Sequence, residues 1–457
     1  MPEHGWSDGL LEAGFGDPEV AAAVGWRARV ARMVEVEAAL ARALAACRLI
    51  PPDAAAAVVA ACDVGRLDLV ALAERAATSA TPVIPLVKAL TSGADPAAAA
   101  WLHHGATSQD VVDTATVLQL RDAMDLLDTR IAAAAAACAT LAERHRDVVM
   151  AGRTLGQQAV PVTFGLKAAR WLGALDRRRE QLDWLRPRLL LVQLGGSAGT
   201  AAVYGDDADA VASALADDLG LGVADLPWHA ERDRLAELAG ALDAIAGVAA
   251  SIATDLVLLA QSEVAEVAEA VGDAPASSAM PHKRNPVDAV AARAAARLAR
   301  GECHVLLAAA ADHELERAAG AWQAEWVALP SALVRTAGAV GRLGRALAGL
   351  EVDTERMRAN LEREGGLTAS EALAAALTPA VGRPTAQSVA GEIAARAAAS
   401  GTSLREAAAS DERVTGVLDA DALAAALDPS AVVPRASRLV ARALATHDRL
   451  RDELPSR

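Results

Sequence analysis

Residues 276–288 read Ala-Ser-Ser-Ala-Met-Pro-His-Lys-Arg-Asn-Pro-Val-Asp, and the interpretation of the whole chain starts from this stretch. Two adjacent serines precede a proline that ends regular structure, and Asn285 and Pro286 open a long alanine-rich run. Asparagine is a preferred helix N-cap and proline fits the first helical position, so the pattern predicts a loop that ends on a helix capped by Asn285. Lys283 adds a charge beside the positive end of the helix dipole. The stretch therefore predicts a site that stabilises an anion.

The hydroxyl of Ser277 is a candidate general base in this setting. Preset hydrogen-bond donors would stabilise its alkoxide better than water does, long enough for the oxygen to remove a proton from carbon. A bare Ser-Ser pair is more often an ordinary polar loop before a helix cap. The residue types alone leave both interpretations open.

The spacing Ser-Ser-x-Met-Pro-x-Lys-x-Asn-Pro resembles the signature of the fumarase/aspartase superfamily, whose members make or break a bond β to a carboxylate. The resemblance implies that Ser277 is the catalytic base. It also implies that Lys283 and Asn285 are catalytic residues of the same site, and that Ser278 and Met280 bind the substrate there. One position departs from the family pattern, because Ala276 stands where glycine is usual and restricts φ in the loop.

Composition predicts an all-α protein. Hydrophobic residues make up 53% of the 457 residues but aromatic residues only 2%, and alanine is abundant. Few rings and many good helix formers favour long, closely packed helices over sheets. We expect three helical domains: an N-terminal domain over 1–100, a central long-helix bundle over 101–350 and a C-terminal domain over 351–457.

Charge and targeting signals narrow the classes of partner. The net charge is −15 and only three residues are lysine, so neither nucleic acid nor an anionic membrane is expected as a partner. Charges interrupt the apolar runs before membrane-spanning length, and no N-terminal signal pattern is found. Four cysteines without paired spacing fit buried thiols in a reducing compartment. We expect a cytoplasmic protein.

A second polar turn, residues 101–110, precedes a helix expected from about 113 to 149. Hydroxyls and an imidazole at a helix start suit an anion, although a histidine there is more often structural and a His-His pair is a poor indication of metal. The turn is similar to the superfamily's first signature region, which implies that His103 is catalytic and that Thr107 and Ser108 bind a substrate carboxylate. We expect no metal and no cofactor.

Residues 152–165 contain Arg-Thr-Leu-Gly-Gln and are expected to form a polar turn that enters a helix. They resemble the superfamily's second conserved block, which implies that Gln157 binds substrate. In its adenylosuccinate lyases a histidine occupies the position of Leu155 and protonates the departing nitrogen. Losing that donor would slow amine elimination by about 10²–10⁴-fold, whereas a carboxylate is a weak base and leaves unaided. Leu155 therefore favours a carboxylate or similar leaving group.

Residues 312–326 combine a cluster of charges with two tryptophans four residues apart. Such patterns usually mark a solvated face and helix packing. The segment is also similar to one in the superfamily's cycloisomerases, which implies that the guanidinium fork of Arg317 binds a substrate carboxylate. We expect the tryptophans to be structural.

Leucine and isoleucine recur at steps of three and four from 235 to 259 and predict a helix over roughly 232–270, about 55 Å long. A single subunit is too thin to cover such a helix, so helices of other subunits are expected to cover it. The resemblance implies the same arrangement, a homotetramer in which three chains build each active site.

Leu155 favours a lactone-forming or similar enzyme, and the resemblance to the superfamily's cycloisomerases implies one of aromatic-acid catabolism that closes a small polycarboxylate diene to a γ-lactone. A substrate carboxylate would add to the alkene while Ser277 exchanges the proton at the carbon α to another carboxylate. Two alternatives stay open. One is a β-elimination lyase on a substituted succinate, adenylosuccinate-lyase-like or expelling nitrite, that releases fumarate. The other is a catalytically silent structural homologue, as the superfamily's crystallins are.

Overall fold

The structure is a computed structural model of one chain and describes residues 12–270, 280 and 283–454. The described residues are mostly helical, which confirms the all-α class. Their α-helices are α1 (Pro18–Val24), α2 (Trp26–Ala46), α3 (Pro52–Ala61), α4 (Leu69–Ser79), α5 (Val83–Thr91), α6 (Pro96–Trp101), α7 (Ser108–Arg144), α8 (Phe164–Leu189), α9 (Ala208–Leu219), α10 (Asp233–Leu259), α11 (Val287–Ala311), α12 (Ala321–Ala348), α13 (Thr354–Glu362), α14 (Ser370–Val381), α15 (Arg383–Ser400), α16 (Leu404–Ala409), α17 (Glu412–Thr415), α18 (Ala420–Ala426) and α19 (Val433–Glu453). Short 3-10 turns lie at Val64–Arg66, Ala202–Asp207, Leu367–Ala369 and Pro429–Val432.

Three two-stranded ladders join these helices in the described part of the chain. They are β1 (Val149–Thr154) with β2 (Gln157–Thr163), antiparallel; β3 (Leu191–Val192) with β4 (Gly222–Val223), parallel; and β5 (Val267–Glu269) with β6 (Leu350–Val352), antiparallel.

The first ladder corrects part of the prediction for residues 152–165: residues 152–163 belong to a β-hairpin, and the predicted helix follows it from Phe164. Thr154 pairs with Gln157, and the two residues between them, Leu155 and Gly156, both have positive φ, at 51° and 79°. Positive φ at both positions is the two-residue turn that fits the twist of a hairpin. The pattern was misread because a leucine rarely occupies the first of these positions.

The main hydrophobic core lies between α7, α8, α10, α11 and α12, which pack as a bundle of long helices. Helix α10 ends at Leu259, so the prediction of a helix to 270 was wrong: its 27 residues span about 40 Å. The prediction about its covering was also wrong. Leu238, Leu242 and Ile245 have no exposed surface within the single chain, because α8, α11 and α12 of the same chain pack around them.

Other apolar side chains of the bundle remain exposed in the single chain. Val287 and Val290 project from α11, Val327 from α12 and Leu258 from α10, and the side chain of Val327 is 70% exposed. Helix α10 is also long and apolar enough to cross a membrane, contrary to the expectation that charges interrupt every apolar run. Its leucine stripe, however, is buried in the core of the bundle.

Two smaller cores flank the bundle. One joins the helices before residue 100 to the first turns of α7 and to α9, and the other lies among α14, α15, α16 and α18. Helix α19 returns to pack along α8. The boundaries of the three domains stay a prediction. The four cysteines are free thiols, of which Cys138 and Cys303 are buried whereas Cys47 and Cys62 are partly exposed.

Candidate active site

The turn before α7 is built around Gly105. This glycine has φ of 77°, and a Cβ at its position would lie 2.4 Å from the ring of Tyr204, so only glycine fits. The Tyr204 hydroxyl donates a hydrogen bond to the carbonyl of His104 at 2.8 Å. The tyrosine therefore clamps the backbone between His103 and Thr107.

Asp110 anchors the first helical turn of α7 to a glycine-rich loop. One of its carboxylate oxygens accepts from the backbone N–H of Thr107 at 2.9 Å and of Gly196 at 3.0 Å. The other accepts from the N–H of Gly195 at 2.9 Å and lies 2.7 Å from Nε2 of His229. The carboxylate is almost completely buried, so it fixes the helix start as a rigid platform.

Arg317 lies against this platform although it is 210 residues away in sequence. Its guanidinium donates to Oγ1 of Thr107 at 2.8 Å and to the carbonyl of Ser197 at 2.9 Å. Its Nε is buried and has no hydrogen-bond partner among the described residues. Ser108, the first residue of α7, follows Thr107 directly. One cation and two hydroxyl groups thus meet at the positive end of a 37-residue helix, an arrangement that suits a carboxylate.

His103 is held by a carboxylate that the sequence analysis missed. Its Nδ1 lies 2.6 Å from Oε1 of Glu37, a residue of α2 with no exposed surface. Burial by itself lowers the pKa of His103, but the hydrogen bond and charge of Glu37, together with the charge of Asp110, raise that pKa above its ordinary value. The imidazole therefore adds positive character beside Thr107 and Arg317.

A buried ionic cluster packs against the second turn of α7, next to the platform. Arg232 donates to Asp113 at 2.7 and 3.2 Å and to Glu325 at 3.1 Å, and the indole N–H of Trp322 donates to Asp113 at 3.0 Å. Nε2 of His313 lies 3.2 Å from the same Glu325 carboxylate. These bonds tie the second turn of α7 to the start of α12, the segment that follows Arg317. Charges buried this completely are stable only when paired.

The hairpin carries the second group of predicted residues. Leu155 at its tip is fully exposed in the single chain, and Gln157 beside it is exposed as well. Arg153, in the same block, has a structural partner: it donates to the wholly buried Glu266 at 2.6 and 2.9 Å. The hairpin thus presents an amide and an aliphatic side chain on a rigid base.

The third group precedes α11. Met280, Lys283 and Asn285 are exposed, whereas Ser277 and Ser278 lie outside the described residues. The prediction that Asn285 caps the helix was wrong. The helix begins at Val287, and the carboxylate of Glu269 accepts from the N–H groups of Asp288 at 2.9 Å and Ala289 at 2.8 Å. Glu269 thereby occupies the helix end that the sequence predicted as an anion site.

Helix lengths separate these groups within one chain. Thr107 lies at the start of α7 and Gln157 beyond its end, and the 37 residues of that helix span about 55 Å. Lys283 precedes α11 and Arg317 follows it, and the 25 residues of that helix span about 37 Å. The described residues therefore bring together His103, Thr107, Ser108 and Arg317, and leave Gln157, Lys283 and Asn285 far from them.

Comparisons with known proteins agree with this architecture. A family model described as Lyase matches residues 18–301, and a second, Adenylosuccinate lyase C-terminus, matches 366–443. A 3-carboxy-cis,cis-muconate cycloisomerase of Pseudomonas aeruginosa is 43% identical over 445 residues, which cover 96% of this chain and 97% of the relative. The chain belongs to the fumarase/aspartase superfamily.

Other superfamily members are similar over most of the chain. A nitrosuccinate lyase of Streptomyces davaonensis is 45% identical over 410 residues, which cover 87% of this chain and 86% of that protein. The crystal structure of the 3-carboxy-cis,cis-muconate lactonizing enzyme from Pseudomonas putida superposes with a TM-score of 0.89 at 41% identity, covering 96% of this chain and 99% of that one.

The superfamily motifs named candidate ligand-binding positions but gave no indication of the residues that support them. Glu37, Glu269 and Tyr204 lie in unremarkable helical or loop sequence, and nothing local marks them as partners of His103, α11 and Gly105. Asp110 lies within the 101–110 turn, and a carboxylate three residues after a threonine is a capping signal that marks it in the sequence.

Proposed function

We propose that this protein is a cytoplasmic 3-carboxy-cis,cis-muconate cycloisomerase, which closes a tricarboxylate diene to a γ-lactone in aromatic-acid catabolism. Leu155 at the hairpin tip carries the proposal. An alkyl group cannot protonate a leaving nitrogen, so the site suits a leaving group, or in reverse a nucleophile, that is already a weak base. A carboxylate of the substrate itself meets that condition. Relatives that bear this name match nearly the full length of the chain.

In the proposed reaction the substrate gains one proton, which water ultimately returns to the serine, and no other atom enters or leaves it. One carboxylate oxygen adds to the alkene carbon β to a second carboxylate, and the electron pair of the double bond moves to the α carbon. The hydroxyl of Ser277 then delivers a proton to that carbon, which leaves the alkoxide. In the lactone-opening direction the alkoxide takes the proton back and the C–O bond breaks, so the same residue serves both directions.

The carbanion spreads its charge onto the neighbouring carboxylate, and catalysis requires donors aimed at those oxygens. On the platform at the start of α7, Arg317, Thr107 and Ser108 would bind one carboxylate of the substrate. Protonated His103 would donate a hydrogen bond to another. Lys283 and Asn285, with Ser278 and Met280 beside them, would stabilise the developing charge, and Gln157 would hold the remaining carboxylate. No metal or cofactor takes part in these steps.

The assembly follows from the separation of the groups. Within one chain, α11 spans about 37 Å between Lys283 and Arg317, and α7 spans about 55 Å between Thr107 and Gln157. We propose that a homotetramer builds each site from three chains, so that the hairpin and the 280–285 segment of neighbouring subunits reach the platform. The exposed valines of α11 and α12 supply the apolar surface for such packing.

Mixing two impaired variants tests the shared site. If Ser277 and Arg317 of one site come from different chains, a co-expressed mixture of Ser277→Ala and Arg317→Gln subunits regains roughly a quarter of wild-type activity by random assortment. The measurement is the specific activity of purified mixed tetramers against each parent. A mixture that shows only the mean of its parents would place both residues in a single chain's site.

One relative supports a second candidate. Nitrosuccinate lyase is 45% identical to this chain, and nitrite, like a carboxylate, is a weak base that leaves without a proton donor. The alternative function is therefore a β-elimination that releases nitrite and fumarate from nitrosuccinate. Leu155 is compatible with both reactions and argues against an amine leaving group in either.

An ultraviolet assay with the two substrates separates the candidates. We expect purified enzyme to consume 3-carboxy-cis,cis-muconate, with loss of the diene absorbance and kcat of at least about 1 s⁻¹, the lower end of typical enzymes. Growth of fumarate absorbance from nitrosuccinate, with the diene untouched, would instead establish the lyase. If the enzyme converts neither substrate, the result would favour a catalytically silent structural homologue.

A further inference from the structure

We propose that Glu37 is a positioning residue for the reaction, which holds the ring of His103 through Nδ1 so that Nε2 is presented to the substrate at the Thr107–Arg317 platform. The inference rests on the proposed function. It concerns a side chain of α2 that lies outside every motif of the superfamily signature quoted above.

The burial of Glu37 is the first observation behind this proposal. Its side chain has no exposed surface and lies on the apolar face of α2 beside Met33 and Leu40. Oε1 meets Nδ1 of His103, but Oε2 is buried without a hydrogen-bond partner among the described residues. A buried carboxylate with a single partner is unfavourable, and an apolar residue would fill the same space without that penalty. Stability of the fold does not account for an acid at this position.

The backbone of His103 is the second observation. Its φ is 60°, in the left-handed region that L residues with a side chain avoid. Gly105 two residues later shares the positive φ and is clamped by Tyr204. Strained backbone persists where the surrounding contacts impose it, and such residues concentrate at functional sites. Two unfavourable features, a buried acid and a strained backbone, therefore converge on one imidazole.

The orientation of the ring follows from the bond it makes. Because Nδ1 faces Glu37, Nε2 on the opposite side of the ring points away from α2. Nε2 has no partner among the described residues, and 21% of the His103 side chain is exposed. Other groups lie close enough to interact electrostatically with the pair. The charge of Asp110 raises the pKa of His103, and burial together with the charge of Glu37 raises the pKa of Cys62 and of Tyr204. Among Glu37, Asp110, Cys62 and Tyr204, only Glu37 forms a hydrogen bond with the ring of His103.

The proposal predicts the direction in which the pH dependence of kcat/KM changes when Glu37 is replaced. Glu37 contributes to raising the pKa of His103, so the protonated ring persists to higher pH than a free imidazole would. If the protonated ring assists the reaction, kcat/KM falls on the alkaline side as His103 loses its proton. Removing the charge of Glu37 moves that fall to lower pH, and the same change lowers the pKa of the ring itself.

The experiment compares Glu37→Gln with Glu37→Asp in the full-length protein. Glu37→Gln is expected to reduce kcat/KM by about 10- to 100-fold, the range seen when a residue that orients a functional histidine is removed, and to shift the alkaline limb of the pH profile to lower pH. Glu37→Asp keeps the charge and is expected to recover part of both. In a His103→Asn background Glu37→Gln is expected to cause no further loss. Glu35→Gln, which changes a partly exposed acid on the same helix that pairs with Arg32 rather than with His103, is the matched control.

A substrate-free measurement keeps this proposal separate from the proposed function. NMR of protein labelled at histidine Cε1 reports nine imidazoles, and the spectrum of His103→Asn assigns the one of interest. We expect a lower titration midpoint for His103 in Glu37→Gln than in the wild type. An unchanged midpoint, or a kinetic loss that only parallels the loss of thermal stability, would overturn the proposal. A shifted midpoint without turnover of 3-carboxymuconate would support the interaction of Glu37 with His103 and contradict the proposed substrate.

Discussion

Ser277→Ala is expected to lower kcat by about 10²–10⁴-fold while substrate binding stays measurable, because the methyl group cannot exchange a proton with carbon but leaves the carboxylate ligands in place. The measurement is kcat by the diene assay, together with the dissociation constant of substrate by calorimetry. The change removes a single oxygen atom from the side chain and is not expected to alter folding.

Ser278→Ala is the matched control for this prediction. It makes the same chemical change one residue later, at a position assigned to substrate binding, so it is expected to raise KM more than it lowers kcat. Full activity in Ser277→Ala would exclude this serine as the base. Equal losses of kcat in both variants would indicate that the substitutions act on the Ser277–Ser278 segment as a whole rather than through one hydroxyl.

Arg317→Gln is expected to reduce kcat/KM by about 10- to 100-fold. A charge-assisted hydrogen bond to a carboxylate contributes about 1.5–3 kcal/mol, and glutamine keeps neither the charge nor the planar fork. The variant also loses the bond to Thr107 at 2.8 Å, which leaves that hydroxyl without its donor. Steady-state kinetics with the tricarboxylate substrate gives the loss, and chemical denaturation reports any accompanying change in stability.

Two further variants show whether the loss at 317 belongs to recognition. Arg317→Lys keeps the charge without the fork and is expected to fall between the wild type and Arg317→Gln. Glu316→Gln changes the exposed neighbour and is expected to leave kcat/KM near the wild-type value. Wild-type kinetics in Arg317→Gln would remove this residue from the site and leave its contacts with Thr107 and Ser197 as purely structural.

The long helices could be predicted from local sequence, but their ends and partners could not. Helix α10 was recognised from its leucine spacing, yet its end and its covering were misjudged, because whether a leucine stripe faces its own chain or another subunit depends on helices 30 to 100 residues away. The Asn285 cap failed for a similar reason. Asparagine and proline suit a helix start, but Glu269 lies close enough to bond the first N–H groups directly.

The candidate site divides in the same way. The motif residues on the platform were named from sequence, and the structure brings His103, Thr107, Ser108 and Arg317 together at one end of α7. The roles of Ser277, Lys283, Asn285 and Gln157 stay predictions. Glu37 was not foreseen, since an acid inside an apolar helix gives no local sign of the histidine it will meet 66 residues later.

The sequence by itself determined the all-α class, the superfamily and the kinds of side chain available for the chemistry, because composition, helical spacing and short motifs are properties of neighbouring residues. Only the tertiary structure decided which of those side chains meet. The bond of Glu37 to His103, the bond of Arg317 to Thr107 and the cap that Glu269 places on α11 each join residues far apart in the chain. Such contacts depend on how whole helices pack, which no local pattern specifies.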